Sequence, residues 1–148
     1  MADIEKNILQ VKKDIEESEF AFCREKNSVM LIAVSKTHSV EKIKKAYSAG
    51  QRDFGENYLQ ESVEKIEKLQ DFDINWHFIG SVQSNKAKLI SHNFDWVHSI
   101  DKLKTLEKIN QHRRDLNKKI NICIQVNIDQ EDSKSGLQIL SLIHISEP

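Results

Sequence analysis

The chain has 148 residues, 39% of them hydrophobic and 30% charged, with a formal net charge of -1 at pH 7. That is material for one globular domain with a solvated surface, and it carries no basic excess to attract a phosphate backbone, so nucleic acid is not an expected partner. No stretch approaches the roughly 18 apolar residues that a bilayer-spanning helix needs, so no membrane segment is expected either.

The first residues, MADIEKNILQVKKDIEE, mix acids and bases from the fourth position on, unlike the apolar core of a signal peptide or the acid-poor run of a transit peptide. Ile4, Ile8, Val11, Ile15 and Phe22 recur near steps of three and four, which predicts an amphipathic helix lying on something larger. Cys23 and Cys123 stand far apart in no ligand-like spacing, which suits a reducing compartment and predicts a cytoplasmic protein. From Val29 the period changes. VMLIAVS is a continuous apolar run, as for a strand buried on both faces of a parallel sheet. Ser39 then reads as an N-cap, and Gly50 closes the helix that it starts.

The cycle repeats along the chain. QRDFGEN predicts a strand, Tyr58 to Leu69 a helix and INWHFIG a strand; Ser84 to Ser91 predicts a short helix and FDWVHSI a fourth strand. Asp101 to Arg113 predicts a helix with Asp101 as its cap, and INICIQVNI a fifth strand. Alternation of this kind means an α/β fold of βαβ units around a parallel sheet, with no internal domain boundary. An open doubly wound sheet and a closed (β/α)8 barrel both suit it. The turn after the first strand is KTHS, without glycine, so neither a dinucleotide-binding turn nor a P-loop is present there. A full barrel typically takes about 250 residues, so the barrel reading makes this chain, with about five β/α units, a partial (β/α)8 TIM barrel.

In either architecture functional groups gather where strands end. Lys36 ends the first strand, Glu56 and Asn57 the second, and Gly80, Ser81 and Gln83 follow the third. His98 and Ser99 end the fourth, and Asn127 and Asp129 the fifth. A lysine held in a partly apolar pocket loses some of its preference for the ammonium form, so its amine can attack a carbonyl and form a Schiff base. A lone lysine at a strand end is equally an ordinary solvated lysine. Asn57 offers a donor and an acceptor to a ring substituent, or simply caps the next helix. His77, between Trp76 and Phe78, reads as a hydrogen-bonded core histidine, and no second histidine stands at metal spacing, so no metal is expected. Gln83, Asn85 and Lys86 could grip an anion at a helix start, or only cap it.

LIAVSKTHS, AGQRDFGENYLQE, WHFIGSVQSNKAK, FDWVHSIDKL and QVNIDQEDSKSG, in that order, resemble the pyridoxal phosphate homeostasis protein family, also called the proline synthase co-transcribed family. The resemblance covers residues 1 to 139. It implies the barrel shared with the alanine racemase N-terminal domain, without a racemase's second domain. It implies that Lys36 forms a Schiff base with pyridoxal 5'-phosphate (PLP), that Asn57 of GENY lies near this cofactor, and that Lys134 of SKSG matches a family lysine of unassigned role. It further implies PLP homeostasis without catalytic turnover, so no catalytic residue, with PLP-dependent apoenzymes as recipients and a monomer in the full-length form. A PLP-dependent Schiff-base enzyme of the racemase type is the alternative, with Lys36 as its nucleophile.

Two departures from the family follow. The strands that carry the family's phosphate-binding residues lie beyond this sequence. The final LSLIHISEP, Leu140 to Pro148, reads as the translation of a transposon-end sequencing adapter, and residues 140 to 148 are therefore expected to be a non-native tail on a shortened barrel. A barrel lacking strands should expose strand edges and apolar surface.

Overall fold

A computed structural model describes residues 3–114, 116–129, 131 and 134–137, so the expected tail at 140 to 148 lies outside the described residues. Helix α1 (Ile4–Ala21) starts at Asp3, whose carboxylate accepts from the Lys6 amide at 3.2 Å. Its apolar stripe sets Ile4 and Ile8 against the core. Phe22 lies past the helix end and is exposed, so it does not extend that stripe. Strand β1 (Ala33–Val34) leads to α2 (Val40–Ser48), and Gly50, with φ of 81°, ends this helix in the left-handed conformation that glycine adopts without a Cβ clash. Then come β2 (Asp53–Glu56), α3 (Leu59–Lys68), β3 (Asn75–Phe78), a 3-10 turn at Ser84–Lys86, α4 (Ala87–Asn93), β4 (Trp96–Ile100), α5 (Leu103–Arg114) and β5 (Asn121–Ile124).

Every strand pairs in parallel with the next, in the order β1-β2-β3-β4-β5. This order decides between the two architectures. A doubly wound sheet reverses direction at a switch point and carries helices on both faces, whereas right-handed crossovers that always advance by one strand put every helix on the same face. Strictly sequential order is that of a barrel wall, so the fold is a partial (β/α)8 barrel of five strands.

The core lies between sheet and helices. Phe54, Trp76, Phe78, Val97 and Ile100 from the strands meet Ile43 and Ala46 of α2, Ala87 and Ile90 of α4, and Ile109 of α5. Side chains alternate along a strand, so the residues between these face the other way, into what is the interior of a barrel. That face carries Asp53, Gly55, His77, Trp96 and His98. Two buried polar side chains tie the elements together. Gln51 donates to Leu31 O at 2.6 Å and to Asp53 O at 2.7 Å, and Arg113 donates to Ser91 O at 2.6 Å and to Lys119 O.

Two expectations need correction. VMLIAVS is not buried on both faces: only Ala33 and Val34 form strand, and Met30 and Val34 are about half exposed. The amides of Asn27 and Val29 are bound at 2.9 and 2.8 Å by the buried carboxylate of Glu19, which keeps them off the ladder, and β1 is an edge strand with an open inner face. Nor does Asp101 cap α5. Thr105 N and Leu106 N both donate to Lys102 O, which puts Lys102 at the cap.

Candidate functional site at the strand ends

The β1–β2 register pairs Ala33 with Phe54 and Val34 with Gly55, and Ser35 N continues the ladder by donating to Gly55 O at 2.9 Å. Lys36 then enters a turn that His38 N closes by donating to Ser35 O at 3.0 Å. Ser35 turns toward the helices, is buried, and donates its hydroxyl to Glu56 Oε1 at 2.6 Å. Lys36 is exposed and forms no ion pair or side-chain hydrogen bond among the described residues. The apolar strand therefore positions the amine but does not dry it, because the wall of a barrel that would face β1 is not among the described strands.

Both neighbours of Lys36 are gripped from α3. Lys65, itself buried, donates to Ser35 O at 2.7 Å and to Glu56 Oε1 at 2.8 Å, and pairs with Glu61 at 2.5 Å. Glu61 in turn accepts the Thr37 amide at 2.7 Å. The bond from Lys65 holds the Glu61 carboxyl below its ordinary range, with Thr37 N–H adding to this against the cost of partial burial. Thr37 has φ of 63°, a left-handed conformation unusual for a β-branched residue. Neither Lys65 nor Glu61 was singled out from sequence. Their spacing of four on a helix was the available signal, but such pairs usually belong to solvent.

Asn57 sits in a tight corner. A Cβ on Gly80 would lie 2.7 Å from Asn57 O, so only glycine lets the end of β3 approach it this closely. Ser99 at the end of β4 donates to Gly80 O. Strand ends β2 to β4 are thus joined through Asn57, Gly80 and Ser99. The side-chain oxygen of Asn57 is buried with no hydrogen-bond partner among the described residues, so it does not serve as a helix cap, and Tyr58 holds the cap position of α3.

Deeper on the inner face, His77 is fully buried, with Nε2 at 3.1 Å from Asp53 Oδ1 and Nδ1 at 3.0 Å from His98 Nε2. A carboxylate only accepts, so His77 donates through Nε2 and a neutral ring leaves Nδ1 to accept from His98. Trp96 stacks on His77 at 5.6 Å. Burial, and then the neighbouring His77, push the His98 pKa down. The reading of His77 as a hydrogen-bonded core histidine agrees with this arrangement.

The remaining candidates do not join this cluster. Gln83 precedes the 3-10 turn without a side-chain capping bond, and Gln83, Asn85 and Lys86 are exposed. Asn127 staples its own loop, donating to Glu131 O at 2.9 Å, and Lys134 pairs with Glu131 at 2.6 Å. Among the described residues no group of three His, Cys, Asp or Glu side chains could hold a metal ion, and no helix is long and apolar enough to cross a membrane.

The family model described as alanine racemase, N-terminal domain, matches residues 4–145. A pyridoxal phosphate homeostasis protein of Pasteurella multocida is 43% identical over 146 residues, covering 97% of this chain and 63% of the relative. One of Pseudomonas aeruginosa is 46% identical, over 92% of this chain and 59% of the relative. The chain therefore spans less than two thirds of the length of these relatives. Among solved structures, PipY of Synechococcus elongatus PCC7942 is similar both without PLP, at TM-score 0.74, 38% identity, 86% of this chain and 60% of that one, and with PLP bound, at TM-score 0.73, 36% identity, 89% of this chain and 63% of that one.

Proposed function

We propose, from the premise that the chain belongs to the alanine racemase N-terminal domain family, that it is part of a PLP-binding protein of intracellular PLP homeostasis, with Lys36 as the residue that holds the cofactor. The observation that carries this is an exposed primary amine, Lys36, and a buried amide oxygen, on Asn57, neither with a hydrogen-bond partner among the described residues, just past the ends of the paired strands β1 and β2. The relatives' names and the PLP-bound PipY structure support the choice of ligand.

The residues fit the group. When bound, PLP supplies an aldehyde that condenses with a primary amine: the nitrogen forms a bond to the carbonyl carbon, the carbonyl oxygen leaves as water, and a Schiff base results. Lys36 supplies the amine. The Asn57 amide would meet a polar substituent of the ring, since its buried oxygen has no hydrogen-bond partner among the described residues. Gly80, with no side chain, leaves Asn57 its place, and Ser99 fixes Gly80. The Asp53–His77–His98 row fixes the spacing of three strands beneath the site.

We read the role as holding and handing on the cofactor, with PLP-dependent apoenzymes as recipients, in the cytoplasm, and as a monomer in the full-length form. Turnover of the racemase type needs a second acid/base group facing the lysine across the cofactor, and His77, in the middle of the row, is already bonded on both ring nitrogens.

The test is to mix the protein with PLP, reduce with borohydride, digest and locate the modified lysine by mass spectrometry. Modification centred on Lys36 and lost in Lys36→Ala is the expected result. Scattered labelling of many lysines overturns the reading, and release of the α-proton from labelled amino acids moves it to the enzyme alternative.

A further inference from the structure

We propose that Lys65 and Glu61 of α3 are positioning residues for the Lys36 amine, acting through the backbone on either side of it. The inference rests on the reading of Lys36 as the aldehyde-binding residue.

Ser35 and Thr37 are the two residues that decide where residue 36 points, and each is fixed by a charged group from the same helix. On the first side, Lys65 Nζ donates to Ser35 O at 2.7 Å while Glu56, bonded to the same ammonium, takes the Ser35 hydroxyl at 2.6 Å. On the second side, the Glu61 carboxylate takes the Thr37 amide at 2.7 Å. Lys65 bridges the two carboxylates, so the grips are one unit.

Three features argue that the unit serves the strand end and not stability alone. A buried ion pair is weak evidence for stability, because desolvation offsets most of the attraction, and an apolar pair would fill the same space. The Lys65 and Glu56 side chains are 8% and 0% exposed, so this cost falls on both. Thr37 has φ of 63° inside a turn that His38 N closes by donating to Ser35 O at 3.0 Å, and the Glu61 bond to the Thr37 amide together with the Lys65 bond to Ser35 O holds that strained turn from outside. Moreover, neither grip touches Lys36 itself, which leaves its amine free while its backbone is not.

Held this way, the backbone keeps the amine in one direction at the end of β1. Without the grips, Thr37 relaxes from its left-handed conformation and the direction of residue 36 averages over the strand end. The amine then behaves as a surface lysine would.

The experiment compares the wild-type chain with Glu61→Ala, Glu61→Gln and Lys65→Met. Glu61 lies at the surface end of the unit and its removal spares the buried Lys65–Glu56 pair, so Glu61→Ala keeps the question answerable if Lys65→Met fails to fold. Two readouts are taken: hydrogen exchange at the Thr37 amide, and the ratio of Lys36 to Lys42 labelling after brief exposure to PLP and borohydride. Loss of a hydrogen bond to a charged group corresponds to about tenfold or more. Glu61→Ala is therefore expected to speed Thr37 exchange and to lower the labelling ratio by about that factor, with the melting transition retained, while Glu61→Gln, which keeps an oxygen for the Thr37 amide, restores most of both. Selective labelling of Lys36 that is unchanged in Glu61→Ala overturns the inference alone, as does Thr37 exchange that does not respond. Indiscriminate labelling of the wild type overturns the inference together with the reading on which it rests.

Discussion

Lys65 Nζ lies 2.8 Å from Glu56 Oε1, in an ion pair that joins the middle of α3 to the end of β2 beneath the helix layer. Removing one partner strands a charge where water does not reach it, which costs about 3–5 kcal/mol, whereas removing both can be close to neutral. Lys65→Met and Glu56→Leu are each expected to lose several kcal/mol in urea unfolding, and the double variant to lose clearly less than their sum. Additive losses would show that the two groups do not depend on each other.

Gly80 is where the inner rim has no room. An alanine there would set its Cβ 2.7 Å from Asn57 O, a backbone atom that cannot swing aside. Gly80→Ala is expected to destabilise by about 1–3 kcal/mol and to weaken labelling of Lys36 by displacing Asn57. Unchanged stability together with unchanged labelling would show that the two strand ends are not in contact.

Acid should loosen the inner face through His98. Its pKa is lowered in the fold by burial and by His77, so the folded state binds its proton less readily than the unfolded chain does. The corresponding stability is complete above the ordinary histidine value, near pH ~6.5, and is lost as pH falls through the lowered folded value. A melting temperature that falls between pH 7.5 and about 5 is expected, with a shallower fall in His98→Gln. Identical slopes would remove His98 from the account.

Phe94 follows α4 in the core, with none of its surface exposed and its ring edge-on to Phe78 at 5.2 Å. Phe94→Ala leaves a cavity between sheet and helix and is expected to cost about 3–5 kcal/mol by denaturant titration. A loss below 1 kcal/mol would mean that α4 collapses onto the sheet without it, at about the level of a single methylene.

Val34 is exposed on β1, Ile124 at the end of β5 and Ile128 beyond it, and β1 and β5 are the two edges of the sheet. Unpaired strand edges beside exposed apolar side chains recruit further chains. This chain by itself is expected to bind a hydrophobic dye and to scatter light as its concentration rises. A dye-silent monomer with one sharp melt would contradict that.

Local signals in the sequence were enough for the alternation of elements, because each β/α unit carries its own punctuation: apolar runs at FDWVHSI and INICIQ, glycine after α2, and helical spacing from Leu59 to Lys68. They were enough, too, to name Lys36 and Asn57 as strand-end residues, since the ends of strands are where a parallel sheet presents side chains. Strand order required the structure, because βαβ alternation is common to the barrel and the doubly wound sheet and only pairing distinguishes them. The exposure of Lys36 also lay beyond the sequence, since an apolar run says that a strand is coverable and not that something covers it. Least legible was the unit around residue 36. Glu56, Glu61 and Lys65 read as ordinary charges along the chain, and they become a clamp only because α3 crosses back over the ends of β1 and β2 and buries an ammonium between two carboxylates. Charge is written in sequence, but burial and partnership arise from distance in space.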